Sequence, residues 1–177
     1  MDRGHFSTQS THHEVYKGTR NTWKELRANL SKVIPTDEQF RQAFEMATVS
    51  KAALARYYLR SLERAAKQEA APWFVPNDDR QTINLENVLP EKPEENWPTF
   101  SEDQIWSFSK RPGNLALLLA KSNSTLRNAG FETKHVVYEQ TPYVLTSQIA
   151  ALSKWGEREI SERQKALARL ALKAWPI

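Results

Sequence analysis

Two short stretches interrupt a chain whose apolar pattern is otherwise helical, and they constrain the fold more than any other feature. Thr82-Ile83-Asn84-Leu85-Glu86-Asn87-Val88-Leu89 alternates in polarity and stops at Pro90, the period-two signature of a strand. Leu115 to Leu119 is an unbroken apolar run behind the Arg111-Pro112-Gly113 turn, and reads as a second strand. The expected architecture is α+β and mostly helical, with helices wrapped around a small strand-containing centre.

Helical signals flank this centre on both sides. From Thr19 to about Val33 the apolar positions Trp23, Leu26, Leu30 and Val33 recur at helical spacing, and Pro35 closes the segment. Thr36, with Gln39 three residues on, forms a capping box for a second helix bearing Phe40, Phe44 and Ala47. A third is expected from about Ser50 to Gln68, with Leu54, Tyr58, Leu62 and Ala65 or Ala66 as its buried stripe. Pro72, Pro76 and Asn77-Asp78-Asp79 then break the pattern. Beyond the first strand, Ser101 and Gln104 form another capping box ahead of Ile105, Trp106 and Phe108. Thr146 and Ser147 start a helix with Ile149 and Leu152. The last helix, over about 156–174, shows Ile160, Leu167, Leu170, Ala171 and Ala174 on one face and pairs Glu159 with Arg163 on the other.

Met1 to Gly18 is polar and aperiodic and reads as a mobile lead-in, with His12 and His13 given no role. The remaining 19–177 is about one domain's worth of chain and reads as a single domain: 19–70 a helical support, 80–140 the strand-containing core, 146–175 the C-terminal helices. The absence of cysteine excludes a disulfide framework and a cysteine-rich zinc site, and fits a reducing cytoplasm. The longest apolar run, Leu115 to Ala120, is far short of the roughly 20 residues of a membrane-spanning helix. A formal charge of +4 is permissive for meeting a polyanion but does not demand it.

Three stretches carry a family likeness. They are Ile83-Asn84-Leu85-Glu86-Asn87-Val88-Leu89-Pro90-Glu91, then Gly113-Asn114-Leu115-Ala116-Leu117-Leu118, then Ser122-Asn123-Ser124-Thr125-Leu126-Arg127-Asn128 leading to Phe131 and Lys134. In this order they resemble the C-terminal HNH nuclease domain of GmrSD-type restriction endonucleases, whose first motif is an acidic residue, His, two apolar residues and Pro. Trp155, Ile160, Arg163 and Trp175-Pro176 resemble the family's ending, and with the helical segment from Asp37 to Leu62 the likeness covers about residues 36–177.

The resemblance implies a ββα-metal core in 80–140 and a DNA endonuclease domain, nicking by expectation, from an antiphage restriction system. In such a site one divalent cation is held against the scissile phosphate while a general base takes a proton from water. It implies Glu86 and Asn123 as metal ligands, Asn87 at the general-base position, and Asn114 as the residue bracing the loop between the strands. Oxygen ligands suit magnesium or manganese. Arg111, Lys121, Arg127 and Lys134 surround the motifs and are candidate contacts to the DNA backbone. Asn128 is expected to cap or brace the helix beside them.

The chain departs from the family pattern at Asn87, where His is usual. A carboxamide orients water but cannot accept its proton near neutral pH, so this form is expected to be impaired. A natural loss, an engineered replacement and a base from elsewhere, with His135 as the candidate, all account for it. The family also carries a ParB-like nucleotide-hydrolysing N-terminal domain, expected here as a partner missing from an isolated C-terminal domain. Two other classes stay open: a non-catalytic DNA-binding module, and a helical protein-interaction domain using some of the six tryptophans as anchors, although large aromatics are more often core.

Overall fold

The computed structural model describes residues 23–30, 33–68 and 82–176. The lead-in with His12 and His13, the breaker segment 72–79 and Trp73 lie outside the described residues, as do the side chains of Trp23 and Leu26. By its internal contacts the chain divides into two units, Met1–Phe40 with Ile177, and Arg41–Pro176. In the first, helix α1 spans Trp23–Leu30. Val33 lies past its end and is exposed rather than part of a buried stripe. Helix α2 (Asp37–Glu45) starts behind the expected capping box: the Thr36 N–H donates to Gln39 Oε1 at 2.9 Å and the Gln39 N–H to Thr36 Oγ1 at 3.2 Å.

The second unit is built around two strands, β1 (Ile83–Asn87) and β2 (Leu115–Leu119), paired antiparallel with Ile83 opposite Leu119 and Asn87 opposite Leu115. Helix α3 (Ala52–Lys67) precedes them. Between them run a single 3-10 turn (Glu94–Asn96), helix α4 (Glu102–Phe108) behind its Ser101–Gln104 capping box, and a second 3-10 turn (Pro112–Asn114). After β2 come α5 (Ala120–Leu126), α6 (Phe131–Glu139), α7 (Val144–Ala150) and α8 (Glu157–Ala174). The fold is α+β and mostly helical, with β1, β2 and α5 in ββα order.

The uninterrupted apolar run of β2 follows from burial on both faces. Ala116 and Leu118 enter one cluster with Val88, Leu89, Trp97, Phe108, Tyr138, Trp155 and Ile160. Leu115 and Leu117 enter another with Val49, Ala55, Leu59, Ile83 and Tyr143. A two-stranded sheet has nothing but edges, and a buried edge carbonyl without a donor costs free energy. The bonds from Val88 N–H to Asn114 O and from Ala120 N–H to Thr82 O set the register, so residues 83, 85, 87, 115 and 117 turn their carbonyls outward. Each of these five carbonyls is met by a side chain: Ile83 O by Arg56 Nη1 (2.6 Å), Leu85 O by Asn123 Nδ2 (3.2 Å), Asn87 O by Lys134 Nζ (2.8 Å), Leu115 O by Arg163 Nη1 (2.8 Å) and Leu117 O by Thr146 Oγ1 (2.7 Å).

This edge chemistry explains where the helical expectations miss. The buried stripe of α3 is Ala55, Arg56, Leu59, Leu62 and Glu63, while Leu54 is exposed. Apolar spacing found Leu62 and the partly buried Tyr58 but not the rest of the stripe, because two charged side chains turn inward, Arg56 to the strand edge and Glu63 to the first turn of α7, where its carboxylate accepts from the Val144 and Leu145 N–H groups at 2.6 and 3.0 Å. Thr146, expected to start a helix, instead lies inside α7 and holds β2. Arg163 likewise turns to Pro112, Gly113, Leu115 and Leu145 carbonyls rather than to an outer-face pair with Glu159.

Candidate active site

The loop joining β1 to β2 folds back on itself through Asn114, whose side chain is fully buried. Its Oδ1 accepts from the Leu89 N–H at 2.8 Å and from Trp155 Nε1 at 3.1 Å, and its Nδ2 donates to Leu89 O at 2.8 Å and to Ser109 O at 3.1 Å. One carboxamide thus uses all four of its hydrogen-bonding positions to tie the end of β1 to the start of β2. Gly113 comes before it for a steric reason: a Cβ there meets Ile160 O at 2.5 Å and Gln164 Oε1 at 2.9 Å. The bare backbone lets α8 close in, so that Gln164 Oε1 accepts from the Gly113 N–H and Gln164 Nε2 donates to Phe44 O and Ala47 O. Burial lowers the Arg163 guanidinium from 12.5 to about 10, which leaves it protonated at neutral pH and able to donate to the loop carbonyls.

Glu86 is the penultimate residue of β1 but is not open to solvent; its residue exposure is 5%. Its Oε1 accepts from Lys134 Nζ at 2.6 Å and from Tyr138 Oη at 3.1 Å, both reaching across from α6. Lys134 also donates to Asn87 O (2.8 Å) and Val88 O (3.1 Å), so its ammonium has three acceptors in a site with no exposure. Burial raises the Glu86 carboxyl above the ordinary 4.5, against the downward pull of Lys134 and of the two hydrogen bonds. Burial also lowers Lys134 below 10.5 against the opposing pull of Glu86, and drives the Tyr138 phenol well above 10. Lys134 is therefore not a surface contact to a DNA backbone, as expected from its charge alone; it is the counter-charge and anchor of Glu86.

The two amides of the site are oriented alike. Asn87 Nδ2 donates to Ser109 O at 3.2 Å and Asn123 Nδ2 to Leu85 O at 3.2 Å, and neither side-chain oxygen accepts a hydrogen bond among the described residues. Glu86 Oε2 is unpaired in the same sense. Among the described residues no group of three or more His, Cys, Asp and Glu gathers as a metal cage. The donors on offer are one carboxylate oxygen and two amide oxygens with their N–H sides already committed, a set whose hardness fits magnesium or manganese and not zinc.

The other basic candidates are spread around this core. Arg111 is half-buried, with its Cζ 4.5 Å from the Phe108 ring centroid. Lys121 and Arg127 are exposed, on α5 and at its end, and Arg127 takes a positive φ of 38°. Asn128 donates to Glu94 Oε1 and its carbonyl accepts from Asn96 Nδ2, both at 3.0 Å, which braces the acidic loop rather than a helix end. His135 lies 3.5 Å from Glu139 and edge-on to Phe131. Of the tryptophans, Trp97 and Trp155 are core, Trp175 is half-buried, and Trp106 is 84% exposed, against the expectation for a large aromatic.

Sequence reasoning missed Tyr138 and Gln164 as parts of the site, and named Trp155 without its bond to Asn114. Tyr138 had a signal: it follows Lys134 by one helical turn, on the same face of α6. Gln164 acts on the backbone from far along the chain and left none, and Trp155 stood only among the residues resembling the family's ending.

Compared with known families, residues 34–170 match the family described as GmrSD restriction endonucleases, C-terminal domain. No curated protein matched the chain. Among the described residues no helix is long and apolar enough to cross a membrane.

Proposed function

The chain belongs to the family of C-terminal domains of GmrSD restriction endonucleases, a nuclease domain, and we propose that it is the metal-dependent, DNA-nicking domain of an antiphage restriction system, weakened in this form by Asn87. The supporting observation is the convergence of Glu86, Asn87, Asn114 and Asn123 on one strand–loop–strand–helix unit, with the amide oxygens of Asn87 and Asn123 left without hydrogen-bond donors.

Glu86 and Asn123 would hold magnesium or manganese. The ion supplies charge neutralisation at a scissile phosphate. Lys134 and Tyr138 keep Glu86 aimed and leave its second oxygen unpaired. Asn114 fixes the strand ends at which the site residues stand. Asn87 accepts a hydrogen bond from water but has no site for its proton, a loss that typically lowers the rate about 100- to 10,000-fold. Arg111, Lys121 and Arg127, around the same motifs, are the side chains proposed to neutralise backbone phosphate. An N-terminal ParB-like domain, where the chain is joined to one, supplies the nucleotide hydrolysis.

Supercoiled-plasmid relaxation with magnesium and with manganese tests this, comparing the chain with Asn87→His and with Asn87→His/Asn123→Ala. Nicking by the first variant alone supports both the base position and Asn123. Equal silence of all three removes the chemistry and leaves a DNA-binding module, a reading measured by salt-sensitive DNA binding without cleavage.

A further inference from the structure

At the far end of α3, where it runs beside the end of α8, Tyr57, Ser61, Arg64, Gln68 and Trp175 line a pocket of about 350 Å³ whose remaining walls are Ala65 and Ala174. These residues share no member with the candidate active site. The pocket is rich in donors. Arg64 Nε is buried and donates to no acceptor, and Arg64 enters no ion pair. A buried guanidinium N–H left unmatched is costly and calls for an acceptor that the protein itself does not provide. Trp175 Nε1 donates to Tyr57 Oη at 3.1 Å, which leaves the phenol's own proton to be given to something else. Ser61 and Gln68 add a hydroxyl and a carboxamide, and among the described residues no carboxylate lines the pocket.

The wall also carries aromatic surface. The Tyr57 and Trp175 rings lie 6.0 Å apart at 35°, and Tyr57 is 51% exposed. Donors without acids call for an oxyanion. A planar fork such as the guanidinium matches phosphate oxygens two at a time. The room beside it is several times that needed by a bare anion, and an exposed aromatic face is the surface on which a base stacks.

We propose that this pocket binds a phosphate carried on a nucleotide unit, with Arg64 as its principal ligand, Tyr57 and Ser61 as neutral donors, and the Tyr57–Trp175 pair as the platform for the base. The unit comes either from a nucleic-acid strand or from a free nucleotide. The inference does not depend on the nuclease reading, because its readout is binding and not cleavage.

Titration calorimetry on the full chain, with inorganic phosphate, deoxycytidine monophosphate and a short single-stranded oligonucleotide as separate probes, decides the matter. The parent chain is expected to bind the mononucleotide more tightly than inorganic phosphate, and Arg64→Gln to weaken both by about tenfold or more, the scale of a lost charge-assisted hydrogen bond. Arg64→Lys should retain part of the affinity. Oligonucleotide affinity falling in parallel identifies a strand as the source, and a fall confined to the mononucleotide identifies a free nucleotide; both support the site. No binding of phosphate or mononucleotide by the parent, or equal binding by Arg64→Gln, overturns it. Should Arg64→Gln fail to fold, Ser61→Ala replaces it, with a severalfold loss expected and an unchanged affinity overturning the site.

Discussion

Replacing Lys134 with methionine keeps the length of the side chain and removes a charge that three buried acceptors share. Glu86 Oε1 stands 2.6 Å from the ammonium, Asn87 O 2.8 Å and Val88 O 3.1 Å, at a position with no solvent exposure. The variant strands a buried carboxylate and two strand-end carbonyls, and removing one partner of a buried pair costs roughly 3–5 kcal/mol. That is a large share of the roughly 5–15 kcal/mol by which a domain is stable. The cost depends on pH with a definite sign. In the parent, Lys134 pulls the Glu86 carboxyl down against burial; without it the folded-state value rises further above the ordinary 4.5. An acid whose folded value lies above its unfolded one contributes stability that is complete below the unfolded value and is lost as pH rises through the folded value. The deficit of Lys134→Met relative to the parent is therefore largest near neutral pH and shrinks as pH falls toward 4.5. Urea denaturation followed by tryptophan fluorescence, at neutral and mildly acid pH, measures it, and Glu86→Gln/Lys134→Met should recover much of the loss because no charge is then stranded. A neutral-pH cost under about 1 kcal/mol, the range of an exposed ion pair, refutes the pairing. So does a deficit that stays constant into acid.

Asn114→Ala leaves two donors and two acceptors without their partner, and is expected to cost roughly 2–4 kcal/mol in denaturant unfolding; a cost under about 1 kcal/mol would remove Asn114 as the tie between the strands. Gly113→Ala forces a methyl to 2.5 Å from Ile160 O, so Tm should fall by an amount equivalent to about 1–3 kcal/mol, and an unchanged Tm would mean that α8 does not approach the loop as described. Thr146→Val deprives Leu117 O of its donor and should cost about 1 kcal/mol, with faster amide exchange along β2; unchanged exchange would argue against the edge role.

The candidate site was legible through the family resemblance, whose motifs are each local. A strand stopping at Pro90 with Glu86-Asn87 inside it, a Gly-Asn pair ahead of an apolar run and an Asn on the following segment are read in order along the chain, and the structure puts them on β1, the loop, β2 and α5, with β1 ending at Asn87. The two capping boxes were equally readable, since each closes within three residues. The stripe of α3 was legible only in part, at Leu62 and Tyr58, because apolar periodicity assumes that charged side chains face water, and Arg56 and Glu63 face a strand edge and a helix start instead.

Sequence by itself determined which residues can carry chemistry here and which cannot. The carboxamide at 87 has no proton acceptor for neutral pH whatever surrounds it, and the absence of cysteine removes thiolate from the ligands any metal could find. Only the tertiary structure decided what the charges do. Lys134 and Arg163 read as surface cations along the chain, yet the bare edges of a two-stranded sheet place unmatched carbonyls inside the protein. Side chains from the surrounding helices reach them, and at Asn87 O and Leu115 O these are the charges of Lys134 and Arg163, which turn inward to hold the strands.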